Sequence, residues 1–180
     1  MNSKLIILDL DETLIYAVEG KVEKEPDFCT ALYRVFKRPK LKQFLEFCFQ
    51  HFEVAVWTSG NTLYANDVVN KIFPEPDRLK FVWSSKRCTK KFDSENWIYY
   101  HEKHLKKVKN KGYDLTKVIM IDDSPEKHTR NYGNLVRVKP FYGDLNDNEL
   151  ELLMKYLLIL KKEKNIRKIE KRGWRSKFLS

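Results

Sequence analysis

The fold of this chain is decided by residues 4–14, KLIILDLDETL. The first half is a short apolar run of the length of a fully buried strand, and two aspartates one residue apart break it abruptly. Where such a strand ends and the chain turns, Asp9 and Asp11 can point toward one place. Two close carboxylates repel each other unless a cation or a shared proton lies between them, so the pair indicates a hard divalent metal. An ordinary solvated turn after an edge strand is the alternative interpretation.

Two later apolar runs end in a similar way. One is followed by Thr58, Ser59 and a glycine, and the other by Asp122 and Asp123. Hydroxyls and the free amides of a glycine-containing turn before a helix form a cradle for anions. Because the carboxyl ends of parallel strands share one edge of a sheet, these side chains are expected to meet there.

Strands alternate with helices along the chain, which predicts an α/β domain with a doubly wound parallel sheet and helices on both faces. Besides the three motif strands, we expect strands at about residues 28–36, 79–83 and 135–138. The expected helices cover about residues 39–52, 63–73, 102–110, 126 onward and 146–161. Residues 15–26 are expected to form an exposed loop or ribbon, and residues 84–100 are polar, aromatic and turn-like.

Length and composition fit one intracellular domain. The 180 residues and 42% hydrophobic content suit a single core, and the longest apolar patch, residues 157–160, is far too short for a membrane span. Residues 1–4 lead straight into a strand, so no signal peptide is expected. The three cysteines form no metal or disulfide pattern, which favours reduced thiols and a cytoplasmic or nuclear location; they are Cys29, Cys48 and Cys88.

The net charge of +10 favours anionic partners such as phosphoproteins, nucleotides or nucleic acid, although charge alone indicates a solvated lysine-rich surface more than specific nucleic-acid binding. Residues 1–160 are expected to form the domain and residues 161–180 a basic extension. We interpret that extension as a solvated helix end, with a nuclear-import-like patch or a nucleic-acid contact as alternatives. Trp97, Tyr99 and Tyr100 are interpreted as a covering ribbon over the core, with a grip on a peptide or a base as the alternative.

The donor set of the predicted site contains only oxygen atoms. Such ligands select Mg²⁺, which binds a few carboxylates together with water and substrate phosphate. A Mg²⁺ site opposite a hydroxyl cradle indicates phosphoryl transfer, in which one aspartate attacks phosphorus and the other moves protons. The four histidines share no ligand spacing and are expected at the surface or at caps; they are His51, His101, His104 and His128.

Four short motifs resemble the haloacid dehalogenase superfamily, and within it the branch of the small C-terminal-domain, or NLI-interacting-factor-like, phosphatases. They are DLDETL at residues 9–14, KRP at 37–39, WTS at 57–59 and DDSP at 122–125. The resemblance covers about residues 4–160. It implies the Rossmann-like fold of that superfamily, with a small insertion between the second and third motifs and no large cap.

The resemblance also implies roles for individual residues. Asp9 is implied to be the nucleophile, and Asp11 the general acid and base. Thr58, with Ser59 beside it, is implied to bind the phosphate. The implied Mg²⁺ ligands are the Asp9 carboxylate, the Asp11 carbonyl and Asp123, with Asp122 adjacent.

A phosphate-binding lysine is implied one helix before the last motif strand. This position corresponds to Lys103, with Lys106 and Lys107 as rival candidates in the same lysine-rich stretch. The chain also departs from the family pattern. The segment between the first motif and Arg38 is short and acidic, where relatives usually carry a longer insertion with an apolar pocket for proline.

The implied function is a Mg²⁺-dependent phosphatase that hydrolyses phosphoserine or phosphothreonine in flexible protein segments, like the RNA polymerase II C-terminal domain, through an aspartyl-phosphate. A phosphatase for nucleotides or nucleic-acid ends is one alternative. A non-catalytic phosphopeptide-binding scaffold is another, and its mark would be the loss of Asp9 or Asp11. A monomer without membrane association is expected.

Overall fold

A computed structural model describes residues 3–95 and 97–178, so expectations that fall on the first two and last two residues lie outside the described part. In chain order, strands β1 to β10 cover Leu5–Leu8, Ile15–Glu19, Phe28–Cys29, Tyr33–Lys37, Glu53–Trp57, Val82–Trp83, Thr89–Asp93, Ile98–Glu102, Val118–Asp122 and Leu135–Arg137. Helices α1 to α4 cover Leu41–His51, Thr62–Ile72, Lys106–Lys109 and Glu149–Lys162. Short 3₁₀ turns connect several of these elements.

The centre of the fold is a parallel sheet with strand order β10-β9-β1-β5-β6. Leu8 of β1 pairs in register with Val56 of β5 and Ile121 of β9. The three motif strands therefore end at one level, and the residues that follow them emerge at one edge of the sheet.

Both faces of this sheet are covered. Along β1 the side chains alternate, so that Leu5 and Ile7 join a core cluster with Val108 of α3, while Ile6 and Leu8 join a larger cluster with α1, α2 and α4. All four β1 side chains are fully or almost fully buried. The predicted α/β fold with helices on both faces is confirmed.

Residues 15–37 form a small antiparallel sheet with strand order β2-β4-β3. Of the exposed loop or ribbon expected at residues 15–26, β2 forms an antiparallel ribbon with β4, but its first residue is not exposed, since Ile15 is completely buried and pairs with Lys37. The glutamates and Gly20 of this segment favour a loop, whereas its short alternation of apolar residues favours a strand. The small sheet lies between the first motif and Arg38.

Strands β7 and β8 form an antiparallel hairpin between the second and third motif strands, β5 and β9, where a small insertion is expected. Because β8 continues to the buried Glu102, α3 is confined to Lys106–Lys109 instead of covering residues 102–110. The helix expected from about residue 126 is a single 3₁₀ turn, Pro125–His128. Within the described ranges, the helices lack the combination of length and apolar character needed to cross a membrane.

The C-terminal segment packs against the domain, contrary to its interpretation as a solvated helix end. Ile166 and Trp174 are buried in the main core, and the Trp174 ring stacks on Tyr156 of α4 with 5.2 Å between centroids. The Trp174 indole donates to the Arg137 carbonyl at 2.9 Å. Lys171 Nζ donates to three backbone carbonyl oxygens at 2.6 to 2.8 Å. The domain boundary at residue 160 stays a prediction.

Candidate active site

Asp9 lies at the carboxyl end of β1, where its backbone N–H donates to the Ile121 carbonyl at 3.0 Å. Its buried carboxylate faces two ammonium groups. Asp9 Oδ1 is 2.8 Å from Lys103 Nζ, and Asp9 Oδ2 is 3.7 Å from Lys127 Nζ. Neither oxygen accepts a well-aligned hydrogen bond from the described part of the chain. The carboxylate is therefore oriented by charge and keeps lone pairs for a ligand.

The structure brings Lys103 into this site. Its side chain is completely buried, and Nζ is shared between Asp9 and Asp122 Oδ2, the latter at 2.6 Å. Burial opposes the charged form, but the carboxylates of Asp122 and Asp9 hold the pKa of Lys103 above its usual value. The rivals lie elsewhere, since Lys107 Nζ donates to the Arg87 carbonyl at 2.7 Å and Lys106 is exposed on α3.

Lys127 is a cation of the site that the sequence reasoning missed. It lies in the 3₁₀ turn after β9, and its carbonyl accepts from the Lys103 N–H at 2.8 Å. Burial again opposes its charge, but Asp9, Asp122 and Asp123 raise the pKa of Lys127. The available signal was its place two residues after the DDSP tetrapeptide, within reach of the strand ends.

Asp122 is fully engaged by protein groups. Besides Lys103, its Oδ2 lies 2.8 Å from His128 Nε2, and its Oδ1 accepts from the Ser124 N–H at 3.0 Å. Against burial, which raises it, Lys103 and His128 hold the pKa of Asp122 well below its usual range. His128 is completely buried, so its expected place at the surface or a cap is wrong. Asp122 thus anchors Lys103 through an ion pair.

Asp123 is held by the first motif, 110 residues away in sequence. Thr13 Oγ1 donates to Asp123 Oδ1 at 3.3 Å and accepts from the Asp123 N–H at 3.2 Å. Ser124 Oγ donates to Asp123 Oδ2 at 3.1 Å. Burial raises the pKa of Asp123, and the charges of Asp122 and Asp9 add to that effect. A cation beside these carboxylates would relieve their repulsion.

Asp11 is held by two hydroxyls, one from the turn after β5 and one from α2. Thr58 Oγ1 donates to Asp11 Oδ2 at 3.4 Å and accepts from the Gly60 N–H at 2.9 Å, while the Tyr64 hydroxyl donates to Asp11 Oδ1. Burial raises the pKa of Asp11, the Asp9 charge adds to the shift, and the Tyr64 hydrogen bond partly offsets it. A raised pKa suits a carboxylic acid that donates a proton near neutral pH.

The turn before α2 fits closely around Tyr64. A Cβ atom on Gly60 would lie 2.8 Å from Tyr64 Cδ1, so only glycine allows this approach. Asn61 Oδ1 caps the helix by accepting from the Tyr64 N–H at 2.9 Å. The Ser59 hydroxyl is buried beside the Cys88 thiol, and its role as a phosphate ligand stays a prediction.

The acidic residues fit a divalent cation. Carboxylate oxygens of Asp9, Asp122 and Asp123 lie within 4.8 Å of one another. The two Asp9 oxygens are buried without well-aligned hydrogen bonds among the described residues, and an oxygen-only donor set suits Mg²⁺. Because Asp122 is occupied by Lys103 and His128, Asp9 and Asp123 are the carboxylates best placed to hold the ion.

Arg38 braces the first motif from behind. Its buried guanidinium binds both Asp147 oxygens, at 2.8 and 2.7 Å, and donates to the carbonyls of Thr13 at 2.9 Å and Lys139 at 2.8 Å. The Arg-Pro motif therefore positions Thr13, and through it Asp123, without facing the ligand.

A cleft of about 240 Å³ adjoins Asp11. It lies between the small β2-β4-β3 sheet and the start of α2, and the rings of Tyr33 and Tyr64 meet edge to face in it at 5.2 Å. Glu12 also lines it; burial, together with Asp11, Asp123 and Asp9, raises the pKa of that side chain to about 7. This aromatic and acidic cleft lies on the side of the site next to the β2-β4-β3 sheet.

The chain belongs to the NLI interacting factor-like phosphatase family, whose profile matches residues 4–167. CTD small phosphatase-like protein 2 of Dictyostelium discoideum is 30% identical in an alignment 170 positions long, gaps included, which covers 90% of this chain and 28% of that protein. A putative CTD phosphatase-like protein of invertebrate iridescent virus 3 is 33% identical in an alignment 183 positions long, gaps included, which covers 87% of this chain and 96% of the viral protein.

Solved structures agree on the fold. A fission yeast RNA polymerase II CTD phosphatase bound to beryllium fluoride matches with a TM-score of 0.57 and 24% identity, covering 92% of this chain and 53% of that one. The chain thus spans about half of this structure and less than a third of the Dictyostelium relative. The expected membership in the NLI-interacting-factor-like phosphatases is confirmed by the family profile, and this structure supports the fold.

Proposed function

We propose that this chain is a Mg²⁺-dependent phosphatase that hydrolyses phosphomonoesters through an aspartyl-phosphate on Asp9. The observation that carries the proposal is the buried Asp9 carboxylate, which lies between Lys103 and Lys127 without well-aligned hydrogen bonds in the described structure. The same residue types, at the same strand end, serve aspartate-based phosphoryl transfer in the family that the chain resembles.

The first step forms a bond between an Asp9 oxygen and phosphorus while the bond to the leaving oxygen breaks. Asp11 gives its proton to that oxygen, and its raised pKa keeps the proton available. Lys103 and Lys127 offset the negative charge of the phosphoryl oxygens. When bound, Mg²⁺ supplies further charge neutralisation beside Asp9 and Asp123.

The second step returns Asp9 to its free form. Asp11, now ionised, takes a proton from a water molecule whose oxygen attacks phosphorus, and the bond between Asp9 and phosphorus breaks. Thr58 and Tyr64 hold the Asp11 carboxylate in the orientation that both proton transfers need. Inorganic phosphate leaves and the site is restored.

The proposed substrate is phosphoserine or phosphothreonine in a flexible protein segment like the RNA polymerase II C-terminal domain. Two relatives and the matching structure are named as CTD phosphatases or CTD phosphatase-like proteins, which supports this choice. The two insertions of the described chain, the β2-β4-β3 sheet and the β7-β8 hairpin, are small, which leaves room for an extended segment.

The nucleophile is tested by Asp9→Asn, which should abolish turnover of a generic aryl phosphate while circular dichroism and thermal melting stay close to those of the wild type. Asp67→Asn on the exposed side of α2 is the matched control and should retain full activity. Turnover by Asp9→Asn would end the assignment. Rates on phosphopeptides and on 3′- or 5′-phosphorylated oligonucleotides then distinguish the substrate class.

A further inference from the structure

One face of the β7-β8 hairpin carries an aromatic platform, defined here as Phe92, Trp97, Tyr99 and Lys90. The three rings are exposed by 46, 81 and 65%, respectively. Phe92 pairs directly with Tyr99, and the ring centroids of Phe92 lie 5.0 Å from Tyr99 and 5.9 Å from Trp97. Lys90 Nζ lies 4.1 Å from the Tyr99 ring centroid. The three rings form one contiguous surface, and the Lys90 ammonium group lies over the Tyr99 ring.

The platform faces away from the domain. Directly opposed residues of an antiparallel pair share a face, and the pairs alternate along the strands. The pairs Lys91–Tyr100 and Thr89–Glu102 therefore lie on the other face, and Glu102 there is buried. The platform rings contribute little to the domain core, so their clustering is better explained by a ligand.

The sequence around the platform is basic. Residues 86–111 contain nine lysines and arginines, of which Lys103 is buried in the candidate active site, and three acidic residues, Asp93, Glu95 and Glu102. Lys107 of α3 joins the base of the hairpin by donating to the Arg87 carbonyl at 2.7 Å. A local excess of positive charge favours a polyanionic ligand.

We propose that the aromatic platform binds single-stranded nucleic acid. Bases stack on the exposed rings, and the phosphodiester backbone lies along the surrounding lysines. Aromatic side chains interleaved with cations are the general means of holding single strands without sequence preference. A phosphorylated peptide would satisfy the charge, but it would leave three adjacent ring faces without stacking partners, so the nucleic acid accounts for both features.

The platform is directly connected to the candidate active site. Strand β8 runs from Ile98 to Glu102, and Lys103 follows it. At a rise of about 3.3 Å per residue, Tyr99 lies roughly 13 Å along the chain from Lys103. The inference concerns binding alone and does not depend on the proposed function.

The test is fluorescence anisotropy of the full chain with a labelled 12-nucleotide oligothymidylate or oligouridylate that carries no terminal phosphate. Such a probe offers no phosphomonoester to the active site. We expect Trp97→Ala and Tyr99→Ala each to weaken binding about 5- to 150-fold, because stacking contributes roughly 1 to 3 kcal/mol per base. Tyr142→Ala removes a ring that is 67% exposed elsewhere and should leave the affinity unchanged.

Two further readouts separate stacking from charge. Trp97→Phe keeps an aromatic face and should retain affinity within about threefold. Trp97 is exposed while the other three tryptophans, Trp57, Trp83 and Trp174, are buried, so added oligonucleotide should quench the exposed component of the intrinsic fluorescence. The affinity should also fall with salt as bound cations are released.

Four outcomes would overturn the proposal. They are no binding up to high micromolar protein, equal affinity of the alanine variants and the wild type, equal affinity for duplex and single strand, and full displacement by a phosphopeptide of matched charge. Because the probe has no terminal phosphate, none of these outcomes bears on phosphatase activity, and loss of turnover in Asp9→Asn leaves the binding result intact.

Discussion

Lys127 gives this site a second ammonium group beside the Asp9 carboxylate. Its Nζ lies 3.7 Å from Asp9 Oδ2, and its side chain is 21% exposed, so it reaches both the site and the solvent from which a phosphate enters. We expect Lys127→Met to weaken binding of inorganic phosphate or tungstate about tenfold, because a charge-assisted contact to the anion is lost. Isothermal titration of the Mg²⁺-loaded protein measures this.

The control for Lys127→Met is Lys106→Met, which removes the same charge from the exposed face of α3. Equal losses in the two variants would mean that only the overall field of the protein was affected, and Lys127 would not be a ligand of the anion.

Tyr64 is the second residue whose role the sequence did not indicate. Its hydroxyl donates to Asp11 Oδ1 and lowers the pKa of that carboxyl, whereas burial raises it. Tyr64→Phe should therefore raise the pKa of Asp11 further and move the alkaline limb of the kcat profile to higher pH. We also expect kcat to fall about tenfold as Asp11 loses orientation. Steady-state kinetics across pH measures both effects.

Tyr33→Phe is the matched control for Tyr64→Phe. The Tyr33 ring lies in the same cleft, but the hydroxyl of Tyr33 hydrogen-bonds to Glu19, and Asp11 acts on it only through its charge. The alkaline limb of the kcat profile of Tyr33→Phe should stay at its wild-type position. A shift as large as that of Tyr64→Phe would show that the cleft as a whole sets the pKa of Asp11.

Residues placed by strand ends were predictable, and residues placed by turns were not. Asp9, Asp11 and Asp123 follow apolar runs whose buried register brings them to one edge. Lys127 and His128 reach the site only because residues 125–128 close a 3₁₀ turn instead of continuing as a helix. No local pattern of charges distinguishes these two arrangements, because the deciding contacts are made to β9 and β8.

At the scale of elements, Arg38 joins the start of α1 to the first motif and to the loop before α4. Its guanidinium makes four hydrogen bonds while completely buried, two of them to Asp147. Arg38→Lys cannot reproduce this planar fork and leaves buried acceptors unpaired. We expect the free energy of unfolding to fall by about 2 to 4 kcal/mol, measured by urea denaturation.

Arg78→Lys offers the comparison at an exposed ion pair with Glu75, where the loss should be under about 0.5 kcal/mol. A similarly small effect for Arg38→Lys would mean that water replaces the fork at little cost. The Arg-Pro pair was recognisable in the sequence, but its partner Asp147 lies 109 residues away and belongs to no pattern. Long-range partners of this kind emerge only from the folded chain.

The same limit explains the elements that sequence reasoning misplaced. Residues 15–19 are mostly apolar, but the glycine and the acidic residues that follow them favour a loop, and the strand is fixed by pairing with β4 and the burial of Ile15. Residues 102–105 fit a helical pattern, but Glu102 ends β8, and Lys103 and Leu105 are buried before α3 begins. Tertiary contacts decide the structure of both segments.

At the scale of the whole molecule, the basic C-terminal segment closes the core beside β10 and α4. The segment is rich in lysine and arginine, and this composition hid the structural role of its one tryptophan. Trp174 is 1% exposed, stacks on Tyr156 and donates to the Arg137 carbonyl at 2.9 Å. Arg137 ends β10, and its Nε donates to the Asp123 carbonyl at 3.3 Å. The C-terminal segment therefore contacts a residue that itself contacts Asp123 of the candidate site.

Trp174→Ala should destabilise the domain by about 3 to 5 kcal/mol, since it removes a large buried ring from the core and leaves the Arg137 carbonyl without its indole donor. Trp97→Ala removes an equally large ring that is 81% exposed and should change stability by less than about 0.5 kcal/mol. Urea unfolding followed by circular dichroism measures both variants on one scale. If Trp174→Ala unfolds at the wild-type midpoint, the C-terminal segment is not docked in solution, and the connection from Trp174 through Arg137 to Asp123 cannot support the site.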